Sequence, residues 1–273
     1  MRLTFQSTFL MLFVLLFFSC NGRGRGAANY LTEAEYAYNS GNYQLAKLKI
    51  DSIKLIFPKA FDEINSGFQL MQQVRMAENK RNIAFCDSML REDYNKLNEM
   101  LTKFDYVRDD RYQEFGEYHP KAYPYTKSLD QNGLRSMVSE KGVIFIESIL
   151  SGSNIKHNRI KLSSDDGSYA ETLVVTADGL NYRFNTLEKS YEIVRFSGSD
   201  ENKISEYIYT YREKPITLHF IGNRTIKVNI TQASKNAISH SFELSNLLKS
   251  IEQLKHEKEK SEVLIRYLES RKD

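Results

Sequence analysis

The sequence predicts an α+β fold, and three observations predict it. From Phe61 to Arg111 there is no Pro and a single Gly, and apolar residues recur at every seventh position. From about Leu129 to Thr231, β-branched and aromatic segments alternate with clusters of Gly, Asn, Asp and Ser. From Phe242 to Arg271 a helical alternation of apolar residues returns. The predicted order is an N-terminal helical hairpin, a long coiled-coil-like helix, an antiparallel β-rich middle domain, and a long C-terminal helix packing back on the first.

The chain opens with a positive start at Arg2, followed by ten unbroken apolar residues, Phe9 to Phe18. That run is about half of what a membrane-spanning helix needs, and it suits the apolar region of a signal peptide. Ser19-Cys20 follows at once. These residues resemble a bacterial lipobox, although Phe17 and Phe18 stand where smaller or aliphatic residues are commoner. The resemblance implies that residues 1–19 are a signal peptide and that a lipid of the palmitate type is attached at Cys20. An anchor of this kind needs a thiol, because the thiolate is the nucleophile that takes up the lipid. The competing reading is an ordinary secretory peptide with a coincidental cysteine. Residues 20–29, rich in Gly and Arg, read as a lipidated flexible tether. No acidic cluster follows Cys20. The expected location is therefore the cell membrane or outer membrane, lipid-anchored and facing the periplasm.

Residues 30–58 read as the hairpin. Thr32 and Glu35 form a capping-box pair, Gly41-Asn42 breaks the first helix, and the second runs from about Tyr43 to Ile56, before Pro58. Gly41, Tyr43, Ala46, Ile50 and Pro58, with Tyr30 and Ala34, resemble one tetratricopeptide unit over about 30 residues. Glu33 and Ala37 depart from that pattern. The resemblance implies binding to other proteins. A single unit cannot bury its own apolar face, so the hairpin is expected to pack on the next helix or on a partner.

The long helix is read over residues 61–115. Met76, Ile83, Leu90, Leu97 and Phe104 form its seam, with Tyr94 and Leu101 as a second line that Lys80 and Asp87 weaken. The β-rich domain is read over residues 129–231. Its strands are placed at 142–150, 159–163, 169–176, 181–185, 191–196, 216–221 and 224–231, with a short helix at 201–212. Gly222-Asn223 marks a hairpin. The C-terminal helix is read over residues 234–271. Leu247, Ile251, Leu254, Ile265 and Leu268 line its apolar side, and Lys258 and Ser261 stand where two more apolar residues would complete it. The two long helices are expected to run antiparallel. The rival is a homodimer through the helical stalk, from Met76 to Phe104, which Cys86 would be placed to bridge.

Net charge is +3 and falls to +2 without Arg2, far from the concentrated basic face that nucleic acid requires. The five histidines, His119, His157, His219, His240 and His256, share no metal-ligand spacing and read as surface or loop residues. Asp165-Asp166-Gly167 reads as a turn. No catalytic motif, cofactor or metal site is expected. The expected function is a non-catalytic, membrane-anchored envelope scaffold for protein partners. The alternative is a ligand-binding lipoprotein whose β domain recognises a peptide or glycan.

Overall fold

The computed structural model describes residues 22–111, 113–123, 129, 131–176 and 181–271. The segment expected to be a signal peptide, residues 1–19, and Cys20 lie outside them. The chain divides into two compact units: the described residues up to Ser88 with those from His256 onward, and Met89–Lys255.

The first unit is helical. Helix α1 spans Gly22–Asn39, α2 spans Tyr43–Ile56, and α3 spans Phe61–Leu101 and continues into the second unit. Small residues let α1 and α2 approach: Ala27, Ala34, Ala37 and Ala46 are all buried. The hairpin does pack on the next helix, since Ala34, Ala37, Ala46 and Ile50 share a core with Leu70, Met71 and Val74 of α3. Lys47 reaches Glu78 at 2.8 Å, and Arg81 of α3 donates to the Gly41 carbonyl at 2.9 Å. Asn42 caps α2 by accepting the Leu45 N–H at 3.2 Å.

Two expectations about the hairpin are corrected. The segment read as a tether is helical from Gly22, because tertiary contact overrides the low helix propensity of its glycines. A Cβ at Gly26 would stand 2.7 Å from the Phe57 ring, so Gly is what lets the helix start lie against the end of α2. Tyr30 packs edge-on against the same ring at 5.7 Å. Thr32 consequently opens no helix. It lies inside α1, and its hydroxyl donates back to the Ala28 carbonyl at 3.1 Å.

The long helix ends at Leu101, not at 115. Phe104, read as the last seam residue, instead opens strand β1 (Phe104–Val107), which pairs with β2 (Glu117–Pro120), and its ring enters the core of the second unit. The second seam line is also displaced by one residue. The buried line beside Ile83, Leu90 and Leu97 is Asn79, Cys86 and Asp93, leading to half-buried Met100, while Tyr94 is exposed. Polar residues on that line hid it from hydropathy.

Helix α5 (Gln232–Glu269) returns along α3 as expected. Within the first unit, Lys258 meets Asp87 at 2.6 Å. Within the second, Ser250 donates to Asp93 at 2.9 Å. As α3 runs forward, its partner on α5 runs back, so the two are antiparallel. Ser261, read as a gap in the α5 seam, is buried, as are Ile251 and Leu268 of the same helix.

The second unit holds two antiparallel sheets. One has the order β1-β2-β3-β4-β8-β7, with β3 at Gly133–Ser139, β4 at Ile144–Ser151, β7 at Tyr182–Asn185 and β8 at Ser190–Ser197. The other has the order β10-β9-β5-β6, with β5 at Arg159–Ser163, β6 at Tyr169–Glu171, β9 at Thr217–Ile221 and β10 at Thr225–Asn229. The sheet structure thus begins at Phe104, ahead of the predicted boundary at 129. The core joins Leu134, Ile146, Leu150, Val194 and Phe196 of the first sheet to Ile160, Leu162, Leu218 and Phe220 of the second. Ile204 and Ile208 of the short helix α4 (Ile204–Thr210) complete it, with Ile238 and Leu244 of α5. Gly222 makes the predicted β9–β10 hairpin, and a Cβ there would collide with the backbone of Ile155 and His157. Where α5 crosses β3 the contact is made by serines. Ser234 Oγ donates to the Leu134 carbonyl at 2.5 Å, and Ser241 Oγ lies 2.9 Å from Ser136 Oγ. Ser245 Oγ donates to the Gly142 carbonyl at 2.6 Å.

Candidate functional site

Strand β4 lies between β3 and β8, so both of its edges are paired; its residues are mostly buried, and each of its faces carries a polar cluster that hydropathy alone does not announce. On one face, register sets Arg135, Glu147 and Arg195 side by side on β3, β4 and β8. Arg135 Nε donates to Glu147 Oε2 at 2.6 Å, and Arg195 Nε donates to Oε1 at 2.9 Å. Two guanidinium groups thus hold one carboxylate that is 2% exposed. Glu117 lies 3.9 Å from Arg195 and 3.4 Å from His119. The His119 contact holds the Glu117 carboxyl below the ordinary glutamate value, with Arg195 assisting against the opposing cost of burial.

On the opposite face stand Ser148, His157 and Glu192. His157 Nε2 lies 2.8 Å from Ser148 Oγ, and His157 Nδ1 lies 2.6 Å from Glu192 Oε2. A carboxylate only accepts, so Nδ1–H donates to Glu192. These are the distances and order of a nucleophile, base and orienting acid. The surroundings are not those of an active site. Ser148 and His157 are fully buried, Glu192 is 1% exposed, and Ser148 sits mid-strand with a neighbour on each side. No substrate can reach the hydroxyl. The cluster fastens the β4–β5 connection instead. Glu192 also accepts the Lys156 N–H at 2.6 Å and the His157 N–H at 2.8 Å, and Lys156 has a left-handed φ of 54°. Burial pushes the Glu192 carboxyl up, but the hydrogen bonds from His157 and Lys156 outweigh it and leave it below the ordinary value.

The reading of every histidine as a surface or loop residue is therefore corrected: His157 is fully buried, and His119 in β2, His219 in β9 and His240 in α5 lie within regular elements. His157 lies in a loop, but the loop is folded inward and its ring is edge-on to Phe220 at 5.2 Å. His256 is exposed, while His119, His219 and His240 are half-buried. Among the described residues, no three His, Cys, Asp or Glu side chains converge as metal ligands would. Cys86, the other cysteine, is buried and free, and burial together with Glu257 and Asp87 raises its thiol pKa.

The accessible feature of the first unit is apolar. Along α2, Leu45, Leu48 and Leu55 are exposed at helical spacing, with Ser52 in the same row. Tyr36 of α1 is 76% exposed and Leu55 80%. Tyr36 and Leu45 line a groove between α1 and α2 of about 510 Å³, bordered by the Glu33–Lys49 ion pair. Phe61, Phe68 and Phe85 of α3 are also exposed. The opposite face of the hairpin buries Ala34, Ala46 and Ile50, so the pair carries apolar residues on two sides and uses only one internally.

Among the described residues, no helix is long and apolar enough to cross a membrane. The chain matches no family model, no curated protein and no solved structure.

Proposed function

We propose that this chain is a lipid-anchored envelope lipoprotein that acts as a non-catalytic scaffold, holding a protein partner on its N-terminal hairpin. The observation that carries the reading is the exposed Leu45-Leu48-Leu55 row beside Tyr36. Exposed apolar patches of this kind are characteristic of interaction sites. A row at helical spacing suits an amphipathic partner helix that lays its own apolar face alongside. The alternative use of the helices, a homodimer through α3, is disfavoured because α5 of the same chain already covers Cys86 and Asp93. The anchor at Cys20 rests on the resemblance of Phe9 to Cys20 to a lipobox and its signal peptide.

Cross-linking in intact membranes followed by affinity purification tests both parts. The wild type is expected to incorporate labelled fatty acid and capture a defined partner. Cys20→Ala should lose the label, and the double variant Leu48→Asp/Leu55→Asp should keep the label and its melting temperature but lose the partner. Equal labelling of Cys20→Ala removes the anchor from the proposal. An unchanged set of captured proteins in the leucine variant removes the hairpin.

A further inference from the structure

The turn between α2 and α3 stands at the end of the hairpin from which the chain leads back to Cys20. Helix α1 begins at Gly22, two positions after Cys20. One helical turn further on, a Cβ at Gly26 would stand 2.7 Å from the Phe57 ring, and the Tyr30 ring meets the same ring at 5.7 Å. Covalent and helical geometry thus keep Phe57 within about 20 Å of Cys20. We propose that the tip formed by this turn docks on the surface of an anionic phospholipid bilayer, with Ile56 and Phe61 entering the headgroup region. The inference rests on the membrane attachment of the N-terminus proposed above.

The turn faces two ways. Phe57 is turned inward against Gly26 and Tyr30, whereas Ile56 is 54% and Phe61 74% exposed. Backbone bonds fix the turn between them. The Phe57 N–H donates to the Ile53 carbonyl at 2.9 Å, and the Ala60 N–H donates to the Phe57 carbonyl at 2.9 Å. Ile56 and Phe61 are therefore held outward by an ordered turn. Phe61 is the first residue of α3 and adds nothing to its start, which Asp62 and Glu63 already favour through the helix dipole.

Charge and position select the occupant. Residues 22–26 and 54–63, the two stretches that meet here, carry four basic residues, Arg23, Arg25, Lys54 and Lys59, against two acidic ones, Asp62 and Glu63. Lys54 and Lys59 flank the apolar pair and are exposed, and neither has an ion-pair partner among the described residues. Apolar side chains can enter the interface while neighbouring lysines extend their stems to keep the ammonium groups at the phosphates. Anionic lipid strengthens such a contact. Leu45 and Leu48 lie about two to three turns back along α2 from Ile56, which leaves the partner row clear of the tip. A tip contact beside the anchor fixes the tilt of the hairpin, which a lipid alone does not.

The chain has no Trp, so Phe61→Trp supplies a single reporter. The full chain, isolated from membranes, is reconstituted into vesicles of equimolar phosphatidylcholine and phosphatidylglycerol with brominated acyl chains. The indole of Phe61→Trp is expected to be blue-shifted and quenched. Phe85→Trp, at an exposed position of the same unit roughly 36 Å farther along α3, should stay unquenched. Adding Lys54→Glu/Lys59→Glu to the Phe61→Trp chain should remove most of the quenching. An unquenched Phe61→Trp overturns the inference. Equal quenching at both positions also overturns it, since the hairpin would then lie flat. Fatty-acid incorporation is read on the same sample, so the two readings fail separately. Label without quenching keeps the anchor and overturns the tip contact, and quenching without label does the reverse.

Discussion

Glu147 is a charge in the middle of an apolar strand, and its consequences are local and large. Buried Arg135 and half-buried Arg195 face it, so removing the carboxylate takes away the anion that both guanidinium groups share. Glu147→Ala is expected to cost about 3–5 kcal/mol, as breaking one partner of a buried pair does. Chemical denaturation would measure it, and a loss below 1 kcal/mol would mean that solvent reaches the arginines. Glu192 makes a prediction about pH. Its folded-state pKa lies below its unfolded one, so as the medium is acidified the unfolded chain takes up the proton first. Its contribution is present above the ordinary glutamate range and is lost as pH falls through the folded value. The acid limb of the stability curve should therefore be steeper in the wild type than in Glu192→Gln, and identical limbs would show that Glu192 does not contribute. The sequence showed Glu147 and Ser148 interrupting GVIFIESIL, which was a legible sign of polar groups inside a sheet. Nothing in it showed that His157 would fold inward to meet Ser148, because that meeting depends on the path of a loop.

At the scale of elements, the helix-helix contact of the hairpin was legible because small residues leave a spacing signature. Ala46 is fully buried between α1, α2 and α3. Ala46→Leu should overpack the contact and lower stability by about 1–3 kcal/mol. An unchanged melting temperature would place Ala46 toward solvent. The strands with turn-punctuated, β-branched sequences were equally legible, and β5 matches its predicted span. Strands β1, β2 and β3 were not: β3, Gly133–Ser139, carries Arg135 and Ser136 among its apolar residues and does not read as a strand, and β1 and β2 have four residues each and depend on pairing with each other and with β3. In so short a segment, hydrogen-bonded neighbours outweigh local preference.

At the scale of the molecule, the return of α5 along α3 gives each long helix the apolar contact that neither could provide alone. Deleting residues 244–273 should leave a monomer of lower stability in which Cys86 reacts readily with thiol reagents. A truncated chain that sediments as a stable dimer would instead support association through α3. The serines of α5 add a second constraint, since their hydroxyls bond β3 and its turn within the second unit.

By itself the sequence determined the α+β order, the hairpin, most of the strands and the long closing helix. Each of these is written in periodicity, in small residues, or in Gly-centred turns, all of which act over a few neighbouring positions. Only the tertiary structure decided where α3 stops, that Gly22–Ala28 is helical, and which line of α3 faces α5. It also decided that Ser148, His157 and Glu192 meet, and that Glu147 is held by two arginines. Those outcomes depend on contacts between residues distant in sequence, often through polar groups. A polar side chain looks solvent-facing in a sequence, and only the partner supplied by the fold makes its burial favourable.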